Sequence, residues 1–206
     1  MFSADLFATE ASLSIRSLSH NCGKAAEVIC SDVPRANLPH RKADAILTDR
    51  SSVTLFMRFG DCVPVLLYDP VHKVVGIAHA GWLGTVKKTV SETLKTMNAR
   101  YGSQPRDILA AIGPSIAAHH YQVGPEVVSQ VKQTFGENNS FLIKEKDGQT
   151  IFDLWAANQL LLEQAGVTQI EIARLCTACH PEDWYSHRAE AGLTGRFGVL
   201  MALKDG

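Results

Sequence analysis

Two short segments of this 206-residue chain carry the side chains best suited to chemistry: Gly60-Asp61-Cys62-Val63-Pro64-Val65 and Gly76-Ile77-Ala78-His79-Ala80-Gly81-Trp82. A thiol and an imidazole that meet can hold a borderline-soft metal ion or form a nucleophile–base pair, and their spacing alone does not separate the two. Cys62 opens one apolar, strand-like run and His79 closes the next. If the runs form an antiparallel hairpin turning around residues 69–72, the two side chains meet at its open end. The small residues around His79 leave room for a ligand or for close backbone approach. A helix expected from Gly81 aims its free N–H groups at the same place. A single cysteine at a strand start is commonly a buried filler, and a single histidine at a strand end a satisfied polar group. Together, flanked by glycines and beside Asp61, they read as a site.

A second cluster is Cys176-Thr177-Ala178-Cys179-His180. It spells a c-type haem attachment motif, or three ligands of a structural zinc site with no visible fourth. Haem attachment requires export. The opening of the chain has no basic start and carries Asp5 and Glu10, so a cytoplasmic location is expected and the haem reading is set aside. The cysteine count is five, an odd number that argues against a disulfide framework.

The positioning elements follow from period and punctuation. Ala26–Cys30, Ala45–Thr48, Val53–Phe59, Val63–Tyr68 and Val74–His79 read as strands, as do Ile108–Ile112, Ile170–Leu175 and Phe197–Leu203. Gly81–Tyr101 switches to a helical period, with Val86, Val90, Leu94 and Met97 on one face and Gly102 as the stop. Pro125 opens a helix to Phe135, and Ile151–Ala165 reads as a third helix. Strands cluster early and helices are few, which predicts an α+β fold, a layered sandwich with mixed sheets, with residues 1–206 as one domain. Hydrophobic residues make up 46% and charged residues 20%, with a net charge of -1, so a packed core is expected without a basic nucleic-acid face. Apolar runs are too short to span a bilayer, and no membrane partner is expected.

Beyond these patterns the sequence resembles the YfiH/laccase-domain family. Its acidic-Ala-Asp-Ala turn is similar to Lys42-Ala43-Asp44-Ala45, followed by Thr48-Asp49; its Asp-Cys-Val-Pro-Val is Asp61 to Val65; its His-Ala-Gly-Trp is His79 to Trp82. Ile112–Pro114, Tyr121–Val127, Asp153-Leu154, Cys176-Thr177, Ser186–Arg188 and Thr194–Arg196 match further family segments. The resemblance covers roughly residues 13–203. It implies a YfiH-like fold and a purine nucleoside phosphorylase with adenosine deaminase activity.

The resemblance also implies a ligand set. Cys62 and His79 carry over directly, and His20, in Leu18-Ser19-His20-Asn21, stands where the family's first histidine lies, with His40 as the fallback. Two imidazoles and a thiolate suit zinc, and copper could also bind. A multicopper oxidase would hold several coppers in His-x-His clusters, whereas this chain has eight histidines and no His-x-His, which weakens the polyphenol oxidase alternative. A Cys–His hydrolase, with Cys62 attacking and His79 as base, is the other alternative. Phosphate and a purine nucleoside are the implied small-molecule partners. Arg188 and Arg196 are the candidate phosphate clamp. Asp61 is the candidate proton-shuttling carboxylate, or else a turn residue supporting its neighbours. Two departures stand out: the family's arginine-bearing opening has no counterpart before His20, so a truncated or late start is expected, and Leu83 replaces the arginine that follows the tryptophan.

Overall fold

The computed structural model describes residues 28–30, 43–144 and 148–204. His20 and His40, the expected third ligand and its fallback, lie outside the described residues. Among the described residues the strands are β1 (Val28–Cys30), β2 (Ala45–Thr48), β3 (Leu55–Phe59), β4 (Val63–Asp69), β5 (Val74–Ala80), β6 (Leu109–Ile112), β7 (Leu142–Lys144), β8 (Thr150–Phe152), β9 (Gln169–Ile172) and β10 (Phe197–Met201). The α-helices among the described residues are α1 (Trp82–Val86), α2 (Thr89–Tyr101), α3 (Pro125–Phe135) and α4 (Leu154–Gln164).

Six strands form a mixed sheet in the order β1-β2-β5-β4-β6-β9, antiparallel in the middle and parallel at both edges. The period-2 alternation of its central strands sorts the core into two layers. Ala45 and Leu47 of β2, Val63, Val65 and Leu67 of β4, and Val74, Ala78 and Ala80 of β5 pack with Val90, Leu94, Met97, Leu154 and Leu161 from α2 and α4. Ile46, Val75 and Ile77 face the other way, onto Leu55, Met57 and Phe59 of a two-stranded ribbon made by β3 and β10. The result is helices, sheet and ribbon in layers, the α+β sandwich with mixed sheets expected from the sequence.

The β4–β5 hairpin is the central element. Val63 pairs with Ala80 and Asp69 with Val74, so the strands run in register over their full length. Its turn is held by the fully buried Asp69, whose Oδ1 accepts the Val71 and His72 N–H groups at 2.8 and 3.1 Å and whose Oδ2 meets His72 Nδ1 at 2.8 Å.

Three elements differ from expectation. The helix expected from Gly81 is split: α1 ends after five residues and Lys88 takes a left-handed φ of 56° before α2 begins. The break coincides with a tertiary contact: Thr134 of α3 donates to the Val86 carbonyl, an acceptor that a continuous helix would use itself. A five-residue helix aligns few peptide dipoles, so it is a weak source of positive potential for an anion. The helix expected from Ile151 begins at Leu154, capped by the Asp153 side chain, which accepts from Ala156 N at 3.0 Å. The residues before it form β8, paired with the unexpected strand β7. Among the described residues no helix is long and apolar enough to cross a membrane.

Candidate metal and anion site

Pairing of Pro64 with His79 leaves Cys62 beside Gly81, one step beyond the last strand pair. The approach is close: a Cβ on Gly81 would lie 2.5 Å from Cys62 Sγ, so only glycine leaves the sulfur this position. Cys62 packs with the ribbon-side layer. His79, two residues after Ile77, faces the same layer, its ring stacked on Phe59 with centroids 4.6 Å apart. Phe59 lies 6.0 Å from Phe197, which meets Trp184 edge-on at 4.9 Å, so an aromatic row borders the pair. His79 N–H donates to the Asp44 carbonyl at 2.8 Å, which ties the end of β5 to the turn before β2. The sequence-predicted pair is thus brought to one end and one face of a rigid hairpin.

Asp61 supports this end. It is buried and has a left-handed φ of 75°, unusual for a residue with a side chain. Its Oδ1 accepts from Thr177 Oγ1 at 2.7 Å and its Oδ2 from the Arg188 backbone N–H at 2.6 Å, while its carbonyl accepts from Ile116 N at 3.0 Å. One residue therefore gathers loops from three parts of the chain, and both of its carboxylate oxygens are committed.

The two arginines lie beside this hub. Arg188 donates from Nη1 to the His120 carbonyl at 3.3 Å and from Nη2 to the Gln122 carbonyl at 2.9 Å, with its guanidinium 5.2 Å from the Tyr121 ring centroid. That arrangement orients an exposed guanidinium without neutralising it. Arg196 lies across Gly60, where a Cβ would meet its Cδ at 2.9 Å, and donates from Nη1 to the Gly195 carbonyl at 2.6 Å. Tyr121, Thr177, Phe59 and Trp184 were not singled out as site residues. Tyr121 and Thr177 sit in the Tyr-x-Val-Gly-Pro and Cys-Thr segments, the one signal that could have flagged them.

Burial, and then the Asp61 carboxylate, push the Cys62 thiol up to about 11, against the pull of Arg196. Burial chiefly, with the Cys62 and Asp61 charges adding to it and Arg188 opposing it, also raises the Tyr121 phenol. The donors themselves, thiol and imidazole on one face with space left by Gly81, suit zinc.

A second group of metal-ligand side chains lies among the described residues: the ligand atoms of His119, His120, Cys176 and Cys179 are all within 4.8 Å of one another. His180, the third side chain of the competing structural-zinc reading of this motif, faces Glu182 at 3.3 Å, within an exposed His180-Glu182-Asp183 group.

Residues 8–204 match the family model described as multi-copper polyphenol oxidoreductase laccase. The chain is 38% identical over 167 residues to the purine nucleoside phosphorylase YlmD of Bacillus subtilis, covering 80% of this chain and 60% of that one. It is 39% identical over 163 residues to a purine nucleoside phosphorylase of Deinococcus radiodurans, covering 79% and 62%. The chain thus spans about three fifths of the length of these relatives. Among solved structures, Bacillus licheniformis YfiH superposes with a TM-score of 0.85 at 33% identity over 93% of this chain and 74% of that one. YlmD of Geobacillus stearothermophilus gives 0.83 at 30% identity, covering 92% and 74%. With a sequence match over nearly its whole length and a shared layered fold, the chain belongs to the YfiH/laccase-domain family.

Proposed function

We propose that the chain is a zinc-dependent purine nucleoside phosphorylase, converting adenosine, inosine or methylthioadenosine to free base and ribose 1-phosphate, with adenosine deaminase activity at the same site. The observation that carries this reading is the convergence of Cys62 and His79 at the open end of one hairpin, with the Arg196 side chain lying across Gly60 and the Arg188 backbone N–H bonded to Asp61 in the same turn. The printed names of the Bacillus and Deinococcus relatives support the reaction class.

In this reading His20, Cys62 and His79 hold the zinc ion. When bound, zinc supplies a Lewis acid and a water of lowered pKa. Arg188 keeps guanidinium N–H groups beyond those given to His120 and Gln122, and these, with Arg196, bind the phosphate that attacks C1′ of the ribose. Asp61 acts as a positioning residue: with both oxygens committed, it sets the backbone at Arg188 and so the direction from which that guanidinium reaches phosphate. The aromatic row of His79, Phe59, Phe197 and Trp184 gives the site an apolar wall.

The test is consumption of inosine with and without phosphate. Ribose 1-phosphate and hypoxanthine formed only with phosphate, and lost in Cys62→Ala, are expected. Free ribose at an equal rate without phosphate would show hydrolysis and remove the phosphorylase reading.

A further inference from the structure

Loop 117–121 and the Cys176–Cys179 turn lie side by side outside the Cys62–His79 pair. Ser115 N–H donates to the Leu175 carbonyl at 3.1 Å and Thr177 N–H to the Ser115 carbonyl at 3.2 Å, so the two segments run together as a short bridge. His119 and His120 share one 3-10 turn, Ala118–His120, with their rings 4.6 Å apart. From the other side come the buried Cys176 and the exposed Cys179, whose Sγ is 3.1 Å from His119 Nε2. The Ala117 N–H points at Cys176 Sγ at 3.3 Å, and Cys179 N–H closes the turn on the Cys176 carbonyl at 3.2 Å. A backbone N–H aimed at a cysteine sulfur is the kind of outer contact that stabilises a metal-bound thiolate.

We propose that His119, His120, Cys176 and Cys179 bind a zinc ion of their own, separate from the Cys62–His79 pair, that staples loop 117–121 to the Cys176–Cys179 turn. Two thiolates and two imidazoles complete the tetrahedral set that closed, structural zinc sites use. Bonds of about 2.3 Å to sulfur and about 2.0 Å to nitrogen require only a modest contraction of the present cluster. The two thiolates lose their protons on binding and balance the charge of the ion, so the neighbouring Arg188 is not repelled. The staple acts on known anchors. The His120 carbonyl receives Arg188 Nη1, and Thr177, inside the Cys-x-x-Cys turn, holds Asp61. The ion is thus a positioning device for the guanidinium and the carboxylate, and the proposal does not depend on which reaction they serve.

The experiment uses the full chain carrying Cys62→Ala and His79→Ala, so that zinc at the other site is not counted. The expected result is about one Zn²⁺ per chain after dialysis, and a sulfur-to-metal charge-transfer band when Co²⁺ replaces it. Adding Cys179→Ser or His119→Ala should weaken Zn²⁺ binding by more than about 100-fold, beyond what loss of an outer contact costs. Both side chains are exposed, so these variants should keep the parent's circular dichroism spectrum. Hydrogen exchange over residues 117–121 and 176–188 should slow when Zn²⁺ is added to the parent and stay unchanged in Cys179→Ser. Absence of Zn²⁺ from the Cys62→Ala, His79→Ala protein would overturn the proposal. So would affinity unaffected by His119→Ala and Cys179→Ser, or a Cys176–Cys179 disulfide in freshly isolated, zinc-free protein.

Discussion

The Cys62–His79 pair and the His119/His120/Cys176/Cys179 group use the same donor atoms on opposite structural terms. The first pair is carried by adjacent strands of one hairpin in the centre of the sheet, and its geometry is set by strand register and by the missing side chain of Gly81. The second group is gathered from a 3-10 turn and a surface turn about 60 residues apart, with three of its four members exposed. A strand-borne pair is preorganised before any ligand arrives, whereas a loop-borne group gains its order from what it binds. The first arrangement suits an open, reactive position, and the second a closed, structural one. Asp61 joins them, touching Thr177 and Arg188 from the residue next to Cys62.

The sharpest way to break the comparison is therefore at the joint. Asp61→Ala leaves the Thr177 hydroxyl and the Arg188 N–H without their acceptor and retains a left-handed backbone, so stability should fall by about 3 kcal/mol. Urea unfolding checks this, and Asp61→Asn, which keeps an acceptor and tolerates the backbone, should lose clearly less. A loss below about 0.5 kcal/mol would mean that Asp61 is not the joint.

Gly81→Ala separates the two regions. Gly81 has an ordinary φ of -64°, so the conflict is between the new methyl and the Cys62 side chain, 2.5 Å from Sγ and 3.2 Å from Cβ. Stability should fall by about 1–3 kcal/mol. Zinc attributable to the hairpin should be lost while that of the loop group is kept, as metal analysis with and without Cys179→Ser would read out.

Acid sharpens the hairpin's side of the contrast. Burial by itself would raise the Asp69 carboxyl, but the hydrogen bonds it accepts, including those from His72 and Val71, outweigh it and hold the group below the usual carboxylate range. Its stabilisation is complete above the pKa of an unfolded aspartate and is lost as pH falls through the lower folded value. Asp69→Asn should flatten this acidic limb and cost about 1–2 kcal/mol at neutral pH. A limb unchanged by the substitution would assign the acid loss elsewhere.

The smallest effect belongs to Cys179→Ser. Without zinc this exposed position should change stability by less than about 0.5 kcal/mol, and with zinc the parent alone should gain. Thermal melts with Zn²⁺ or chelator distinguish the two.

What the sequence revealed follows the same division. The hairpin was legible because alternation and its punctuating residues are local: the runs from Val63 and Val74 form strands, and Cys62 and His79 come to its open end. The layered α+β class was legible for the same reason. The break at Lys88 was not, since Val86 and Val90 keep helical period and the contact that coincides with the break comes from Thr134 of another helix. Nor was the partner of Cys176 and Cys179. Proximity in sequence favoured His180, but the turn sends it to Glu182, and the histidines that do approach are about 60 residues earlier. Asp61 drew attention as a carboxylate beside a ligand, yet its left-handed φ and its two distant partners are products of the assembled fold.

The Asp61 contacts also set an order of assembly. Its partners Thr177 and Arg188 lie 116 and 127 residues further along the chain, among the longest separations the fold must close. The hairpin, with its nearby strands, can form while the later part of the chain is still being synthesised, but the turn at Cys62 reaches its final shape only after Arg188 has emerged. A ribosome-bound nascent chain halted before residue 177 would therefore hold a folded hairpin without a finished site.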